Sequence, residues 1–131
     1  IGAKPLIDAF YKIKDSYNID RLAQEIALVA VRDASHMRRN TERILEMRER
    51  TAAELRKRGF DVCPSQTNFL WVKPPKLGAR KVFDELRKLK VLVRYFPGEL
   101  TGDYLRITVA TESEMTALLS SLDQIFQALE K

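Results

Sequence analysis

The sequence has very few of the residues on which metal sites and many catalytic sites depend. Its 131 residues include one cysteine, Cys63, and one histidine, His36. A single cysteine excludes an internal disulfide and a cysteine-rich metal site, and a single histidine excludes a histidine cluster. The sequence also lacks a G-x-G-x-x-G turn and a phosphate-binding P-loop. We therefore assign no metal ligand, no cofactor-binding loop and no catalytic residue, and we interpret Cys63 and His36 as structural residues.

Long apolar runs are also missing. No run approaches the roughly 20 apolar residues that a membrane-spanning helix needs, and the N-terminal segment does not have the pattern of a signal peptide. Together with the scarcity of cysteine, this favours a cytoplasmic protein that has no membrane partner.

The charge is basic but evenly mixed. Lysine and arginine number 23 against 18 acidic residues, which gives a net charge of +5. Along 37–58 (MRRNTERILEMRERTAAELRKR) both signs alternate, as in a solvated helix with near-neighbour ion pairs. The apolar segments NFLWVK and VLVRYF lack the glycine and aromatic spacing of RNA-recognition strands. Nucleic acid is therefore not a predicted partner.

Hydrophobic periodicity predicts an α+β fold. Helical spacing occurs in 5–13, 18–33, 35–58, 79–90 and 111–131, and strand-like runs occur at 60–62, 68–73, 91–96 and 104–109. This order predicts a small, mostly antiparallel sheet of three to four strands covered by helices. Alternation in the last strand places Leu105, Ile107 and Val109 on one face and Arg106 and Thr108 on the other.

Local signals predict where several helices begin and end. Asn18 or Asp20 is the N-cap candidate of the second helix, Thr111 and Glu114 form a capping box, and Gly59 suits a left-handed C′ position. Whether 20–58 forms one bent helix or two stays open. The apolar stripe of 19–31 is wide for a surface helix, so we expect it to pack on more than one neighbour.

Arg94 and Arg106 are full charges within strand-like runs. Each could face solvent or pair with an acid such as Glu99 or Asp103. Alternatively, both could lie at one end of the sheet and bind a dianionic substrate, because a guanidinium matches carboxylate and phosphate bidentately.

Four segments resemble, in order, the C-terminal part of the histidinol-phosphate aminotransferases, which are fold-type-I pyridoxal-phosphate (PLP) enzymes. The resemblance covers about residues 5 to 130, and its most specific part is the arginine-bearing strand pair. One departure is Ala110, where the family usually has glycine. The segments are SYNIDRLAQ (16–24), RKRGFDVCPSQTNFLWV (56–72), VLVRYFPG (91–98) and YLRITVATESE (104–114).

The resemblance implies roles for particular residues. Arg106 matches the arginine that binds the substrate's α-carboxylate, and Arg94 matches one that contacts the substrate phosphate. Tyr17 matches a tyrosine that reaches the phosphate end of the neighbouring subunit's site in a homodimer. Asn68 matches a common family residue that we assign to strand or turn structure.

The resemblance also implies that important parts lie elsewhere. In the family a lysine forms the Schiff base with PLP, and no lysine of this sequence lies in the matching context; Lys12 and Lys14 do not match. We expect 1–34 to be a helical segment linking to a large domain outside this chain, and 35–131 to be the α+β small domain. The parent enzyme would use PLP to transfer the amino group of L-histidinol phosphate to 2-oxoglutarate, and the isolated chain would be inactive.

Two other interpretations remain at this point. The parent could be a phosphothreonine decarboxylase-like enzyme or an aromatic aminotransferase, which share much of the pattern. The chain could also be an independent α+β ligand-binding or interaction module without catalysis.

Overall fold

A computed structural model describes residues 2–14 and 19–128 of the chain. Within these residues it contains five α-helices and four β-strands. The chain divides into two compact units, Ile1–Met37 and Arg38–Lys131.

The first unit contains two amphipathic helices, α1 (Lys4–Ile13) and α2 (Arg21–Arg32). Asp20 caps α2 by accepting a hydrogen bond from the Ala23 backbone N–H at 2.8 Å, which confirms one of the two predicted N-caps. The other candidate, Asn18, lies outside the described residues. Neither helix has a buried residue, and the apolar stripe of α2 is exposed along its length.

The helical region 20–58 is interrupted at Asp33, so α2 is separate from α3 (Ala34–Lys57). Asp33 Oδ1 accepts hydrogen bonds from the His36 backbone N–H at 3.0 Å and from Ser35 Oγ at 2.9 Å. The His36 hydrogen bond, followed by that of Ser35, lowers the pKa of the Asp33 carboxyl. Asp33 therefore precedes α3 in the way that an N-cap residue does.

The C-terminal end of α3 is a Schellman motif. The Phe60 N–H donates to the Leu55 carbonyl at 3.1 Å, and the Gly59 N–H donates to the Arg56 carbonyl at 2.9 Å. Gly59 has φ +82°, the left-handed conformation that its sequence position predicts.

The sheet belongs to the second unit, and its strands are β1 (Asp61–Val62), β2 (Phe69–Lys73), β3 (Arg94–Tyr95) and β4 (Leu105–Thr108). The strand order is β1-β2-β4-β3, with every neighbouring pair antiparallel. Helix α4 (Ala79–Lys88) precedes β3, and α5 (Glu112–Gln127) follows β4. The α5 N-terminus has the predicted capping box between Thr111 and Glu114, whose hydrogen bonds lower the pKa of the Glu114 carboxyl.

Strand β3 is shorter than the predicted run 91–96. A second Schellman motif uses the start of that run, because the Val91 N–H donates to the Leu86 carbonyl at 2.9 Å and the Lys90 N–H to the Arg87 carbonyl at 3.1 Å. Lys90 occupies the left-handed position with φ +62°. The beginning of the apolar run therefore closes α4, and only Arg94 and Tyr95 pair with β4.

The core lies between one face of the sheet and helices α3, α4 and α5. Leu105, Ile107 and Val109 are buried as their alternation predicts, so the α+β prediction is confirmed. The other core residues come from α3 and its end, from β1 and β2, and from α4 and α5: Ala52, Leu55, Phe60, Val62, Leu70, Val72, Ala79, Val82, Leu86, Met115, Leu118, Leu122 and Ile125. Among the described residues, no helix combines the length and the hydropathy that crossing a bilayer requires.

Candidate functional site

The sheet face opposite the core carries a row of three side chains across three strands. In the register of the sheet, Arg106 on β4 is the Cα partner of Trp71 on β2 and of Arg94 on β3. Alternation along each strand places these residues on the face opposite Leu70, Leu105 and Ile107. The structure therefore brings together the two arginines that the sequence singles out.

The two arginines are neighbours without a carboxylate between them. Among the described residues, the side chains of Arg94 and Arg106 form no hydrogen bond and no ion pair, so neither is neutralised by Glu99 or Asp103. Asp103 pairs instead with Lys73, at 2.6 Å between Oδ2 and Nζ, and this hydrogen bond raises the pKa of Lys73. Like charges that face each other across two strands repel. An anion bound between the guanidinium groups would remove that repulsion.

The two arginines differ in their surroundings. Arg94 is exposed, whereas Arg106 is partly buried and its Nε is a buried donor without a partner. The guanidinium carbon of Arg106 lies 5.4 Å from the Phe69 ring centroid and 5.5 Å from that of Phe96. These distances are within the range of cation–π attraction, which partly offsets the burial of the charge.

The aromatic surface continues away from Arg106. Trp71 lies 6.1 Å from Phe96 between ring centroids and stacks on Tyr104 at 5.4 Å with an interplanar angle of 11°. Lys73 Nζ lies 6.0 Å from the centroid of the Tyr104 ring. Two cations beside an aromatic wall make this face suitable for a small anionic molecule that also has a flat or apolar part.

Sequence reasoning identified the two arginines but missed the rings around them. Phe69, Trp71 and Phe96 belong to predicted strands, and they contact Arg106 or each other only because β4 lies between β2 and β3. The available signal was the alternation of NFLWVK, which places Phe69 and Trp71 on the face opposite Leu70 and Val72.

The remaining residues singled out by the sequence have simpler positions. Tyr17 lies outside the described residues, so its predicted role stays a prediction. The Asn68 carbonyl accepts the Val109 N–H at 2.8 Å, a structural contact at the end of the sheet. Ala110, where the family usually has glycine, does not have a positive φ; among the described non-glycine residues only Lys90 does.

A second charged cluster is structural. Arg58, next to the end of α3, donates from Nε and Nη2 to Asp123 of α5 at 2.8 and 2.9 Å, and from Nη1 to Glu54 Oε2 at 2.8 Å. These hydrogen bonds raise the pKa of Arg58, and those from Lys57 and Arg58 lower the pKa of Glu54. The cluster joins two helices and leaves no unpaired charge for a ligand. In residues 2–14 and 19–128 no group of three or more His, Cys, Asp or Glu side chains could hold a metal.

Comparison with known proteins assigns the family. The model of the class I and II aminotransferases matches residues 1–122. The chain belongs to this family. Its α+β architecture, with an open four-stranded antiparallel sheet, is shared with a solved member of the family.

The similar curated aminotransferases are much longer than this chain. It is 39% identical to the histidinol-phosphate aminotransferase of Chromohalobacter salexigens over 128 residues, which are 95% of this chain and 36% of that protein. It is 41% identical to the histidinol-phosphate aminotransferase of Geobacter sulfurreducens over 124 residues, which are 94% of this chain and 35% of that protein. The chain thus spans about a third of the length of these relatives.

Solved aminotransferase structures have the same fold. The histidinol-phosphate aminotransferase of Sinorhizobium meliloti, solved in complex with pyridoxal-5′-phosphate, superposes with a TM-score of 0.80 at 26% identity, over 93% of this chain and 34% of that one. The histidinol-phosphate aminotransferase of Clostridium acetobutylicum superposes with a TM-score of 0.77 at 22% identity, over 93% of this chain and 38% of that one. The latter similarity supports the fold alone.

Proposed function

We propose that the chain is the C-terminal, substrate-binding part of a PLP-dependent histidinol-phosphate aminotransferase of histidine biosynthesis. The reaction transfers the amino group of L-histidinol phosphate to 2-oxoglutarate, giving imidazole acetol phosphate and L-glutamate. The observation that carries the proposal is the cross-strand pair Arg94–Arg106, which has no carboxylate partner among the described residues. The names of the relatives at about 40% identity give the substrate.

The substrates match this pair chemically. Arg106 binds a carboxylate, which 2-oxoglutarate and glutamate carry next to the reacting carbon. Arg94 binds the phosphate of histidinol phosphate, and Tyr17 contributes to the phosphate end of the partner subunit's site in a homodimer. Because histidinol phosphate has an alcohol where amino acids have a carboxylate, Arg106 acts mainly in the glutamate half-reaction.

Four lysines in the described part of this chain form ion pairs, which does not suit covalent PLP attachment. Lys73, beside the Tyr104 ring, is held by Asp103, and Lys4, Lys57 and Lys88 are exposed and paired with Asp8, Glu54 and Glu85. A Schiff-base lysine has to be free to react with the cofactor aldehyde. The proposal places the cofactor site in the part of the enzyme outside this chain, and this chain contributes the substrate contacts.

The proposal includes the domain arrangement of the parent protein. Residues 1–34 link the α+β small domain, 35–131, to a large domain, and the exposed apolar stripe of α2 is the surface that the large domain covers. The parent enzyme acts as a cytoplasmic homodimer. The length of the relatives supports the large domain, since about two thirds of each lies beyond the matched region.

The test is an activity assay of the full-length protein that contains this chain. With PLP, L-histidinol phosphate and 2-oxoglutarate, we expect glutamate to form at a rate that depends on both substrates. O-phosphothreonine and phenylalanine, offered in place of histidinol phosphate, should react at least tenfold more slowly.

Three results would contradict the proposal. Faster loss of carbon dioxide from O-phosphothreonine would assign a decarboxylase, and faster transamination of phenylalanine would assign an aromatic aminotransferase. Absence of any PLP-dependent turnover would favour a binding module. Histidinol without its phosphate is the matched control, since its poorer reaction reports the phosphate contact directly.

A further inference from the structure

The side chain of Arg106 is partly buried but lacks the hydrogen-bonded partners that usually accompany a buried arginine. Its Nε is buried and makes no hydrogen bond, and within residues 2–14 and 19–128 it has no carboxylate partner. A buried donor left unsatisfied is unfavourable, because it loses its hydrogen bond to water. Some other interaction must therefore keep this side chain in its position.

Phe69 and Phe96 provide that interaction from two different strands. Phe69 lies on β2, two residues from Trp71, and is the Cα partner of Thr108. Phe96 lies on the other side of β4, two residues beyond Arg94. Each ring is therefore diagonal to Arg106, one towards each end of β4, at 5.4 and 5.5 Å from its guanidinium carbon.

The backbone of each phenylalanine is fixed by its own loop. Before β2, the hydroxyls of Ser65 and Thr67 donate to the Phe69 carbonyl at 2.7 and 3.2 Å. After β3, the Thr101 hydroxyl donates to the Phe96 carbonyl at 2.9 Å. The Phe96 ring also packs against Trp71. The backbone positions of both phenylalanines are thus fixed, and the Phe96 ring cannot leave Arg106 without also leaving Trp71.

We propose that Phe69 and Phe96 are positioning residues that clamp the Arg106 guanidinium between their rings and so prepare it for the carboxylate of the substrate. Arg94, its cross-strand neighbour, lies outside this clamp: it is exposed, and among the described residues no ring lies over it. The two arginines then bind anions in different ways: Arg106 offers donors in a fixed geometry, whereas the exposed Arg94 side chain can adjust to its ligand.

The benefit of the clamp is preorganisation. Immobilising a long side chain on binding costs about 0.5–1.5 kcal/mol, which corresponds to an affinity loss of roughly 2- to 13-fold. A guanidinium that is already held between two rings avoids this loss. This consequence for catalysis depends on the proposed function, whereas the clamp itself can be tested without it.

The direct test is an NMR measurement of the Arg106 Nε–H in the protein labelled with ¹⁵N at arginine, where Arg106→Lys identifies the signal. In the wild type we expect a ring-shielded proton that exchanges slowly with water. Phe96→Leu and Phe69→Leu should move the signal towards that of a free arginine and accelerate its exchange, and Phe96→Tyr should retain the wild-type signal. Phe126→Leu is the control, because Phe126 packs on Phe60 at 5.8 Å on the helix-covered side.

The kinetic test uses the full-length enzyme. Phe96→Leu should raise KM for 2-oxoglutarate roughly 2- to 13-fold while kcat changes less than twofold, and Phe96→Tyr should restore the wild-type KM. Leucine at position 96 leaves the core intact, since Phe96 is 39% exposed.

The outcomes separate the two proposals. An unchanged Nε–H signal in both leucine variants would overturn the clamp, and so would equal KM values in Phe96→Leu and Phe126→Leu. A wild-type enzyme that does not transaminate would instead overturn the proposed function, and the NMR comparison would still decide about the clamp.

Discussion

At the scale of single residues, the most informative feature is the cross-strand pairing of two arginines of like charge. Arg94 and Arg106 face each other directly across β3 and β4. Among the described residues no acid separates them, and the nearby Asp103 pairs with Lys73. Such a pair opposes folding and favours anion binding for the same electrostatic reason. Stability and ligand affinity should therefore respond in opposite directions when one arginine is neutralised.

Arg106→Ala should damage one half-reaction of the full-length enzyme more than the other. A hydrogen bond to a charged group contributes about 1.5–3 kcal/mol, so KM for 2-oxoglutarate should rise roughly 10- to 150-fold. KM for histidinol phosphate should rise much less, because that substrate has no α-carboxylate. Steady-state kinetics with each substrate varied in turn would measure the difference. Equal increases would refute the division of labour, and Arg80→Ala, which removes an arginine paired with Asp84 on α4, is the control.

Arg94→Gln should stabilise the unliganded protein and weaken its response to anions. Removing the like-charge contact should raise the free energy of unfolding by about 0.2–1 kcal/mol in low-salt chloride buffer. The additional stability that phosphate gives to the wild type at equal ionic strength should decrease in the variant. Urea unfolding in the two buffers measures both effects. A variant that is less stable in chloride and equally stabilised by phosphate would show that Arg94 is not part of an anion site.

At the scale of elements, two helices end in the same motif with different residues. The C′ position is Gly59 after α3 and Lys90 after α4, with φ values of +82° and +62°. Glycine adopts this conformation freely, whereas a residue with a Cβ is strained by roughly 1–2 kcal/mol. The two helix ends therefore form a natural pair for comparison.

Gly59→Ala and Lys90→Gly should change stability in opposite directions. Gly59→Ala should lower the free energy of unfolding by about 1–2 kcal/mol because the left-handed backbone then carries a side chain. Lys90→Gly should raise it by about 0.5–1 kcal/mol, since the relief of strain exceeds the entropy that glycine adds to the unfolded chain. Chemical denaturation of both variants provides the values. If Lys90→Gly is less stable than the wild type, the Lys90 side chain stabilises the fold by more than its left-handed backbone destabilises it.

The elements also show which structural features can be predicted from local sequence signals. The Thr111–Glu114 capping box, the Gly59 helix end and the alternation of Leu105 and Ile107 depend on neighbouring residues, and all three were predictable. The left-handed Lys90 was not, because a lysine does not mark such a position, and this shortened β3. The Arg106 clamp could not be predicted from the sequence either. It requires the strand order β1-β2-β4-β3, in which rings far apart in sequence meet on either side of β4.

At the scale of the whole molecule, one helix presents an exposed apolar face. Helix α2 has no buried residue, and Leu22, Ile26 and Val29, which share one side of it, are each more than 60% exposed. Contiguous apolar patches on a protein surface usually mark an interface. The family assignment and the length of the relatives fit this feature.

The isolated chain should therefore self-associate through α2. Replacing Leu22, Ile26 and Val29 together by serine should lower the apparent mass in sedimentation at micromolar concentration and reduce binding of a hydrophobic dye. The control is a variant with Leu92→Ser and Leu100→Ser, two isolated leucines that are 80% and 89% exposed. If both variants behave like the wild type, α2 does not act as a contact surface.

The isolated chain should not hold PLP at a particular lysine. After incubation with PLP and reduction with borohydride, peptide mapping should find only scattered modification, equal in the native and the denatured chain. The described lysines that form ion pairs at the surface, such as Lys73 and Lys88, offer no protected site. A stoichiometric adduct on one lysine that disappears on denaturation would mean that this chain contains a complete cofactor site.

The two-residue pairing of β3 has a consequence for insertions and deletions. The loop 96–104 sets which residue of β3 faces Arg106, and neighbouring residues of a strand point to opposite faces. Removing one residue from this loop would exchange Arg94 and Tyr95 between the outer face and the core. Homologous loops should therefore vary freely in sequence at exposed positions such as Glu99 and Leu100 but be conserved in length. In protein engineering, a grafted loop of different length would need a compensating β-bulge to keep Arg94 on the outer face of the sheet.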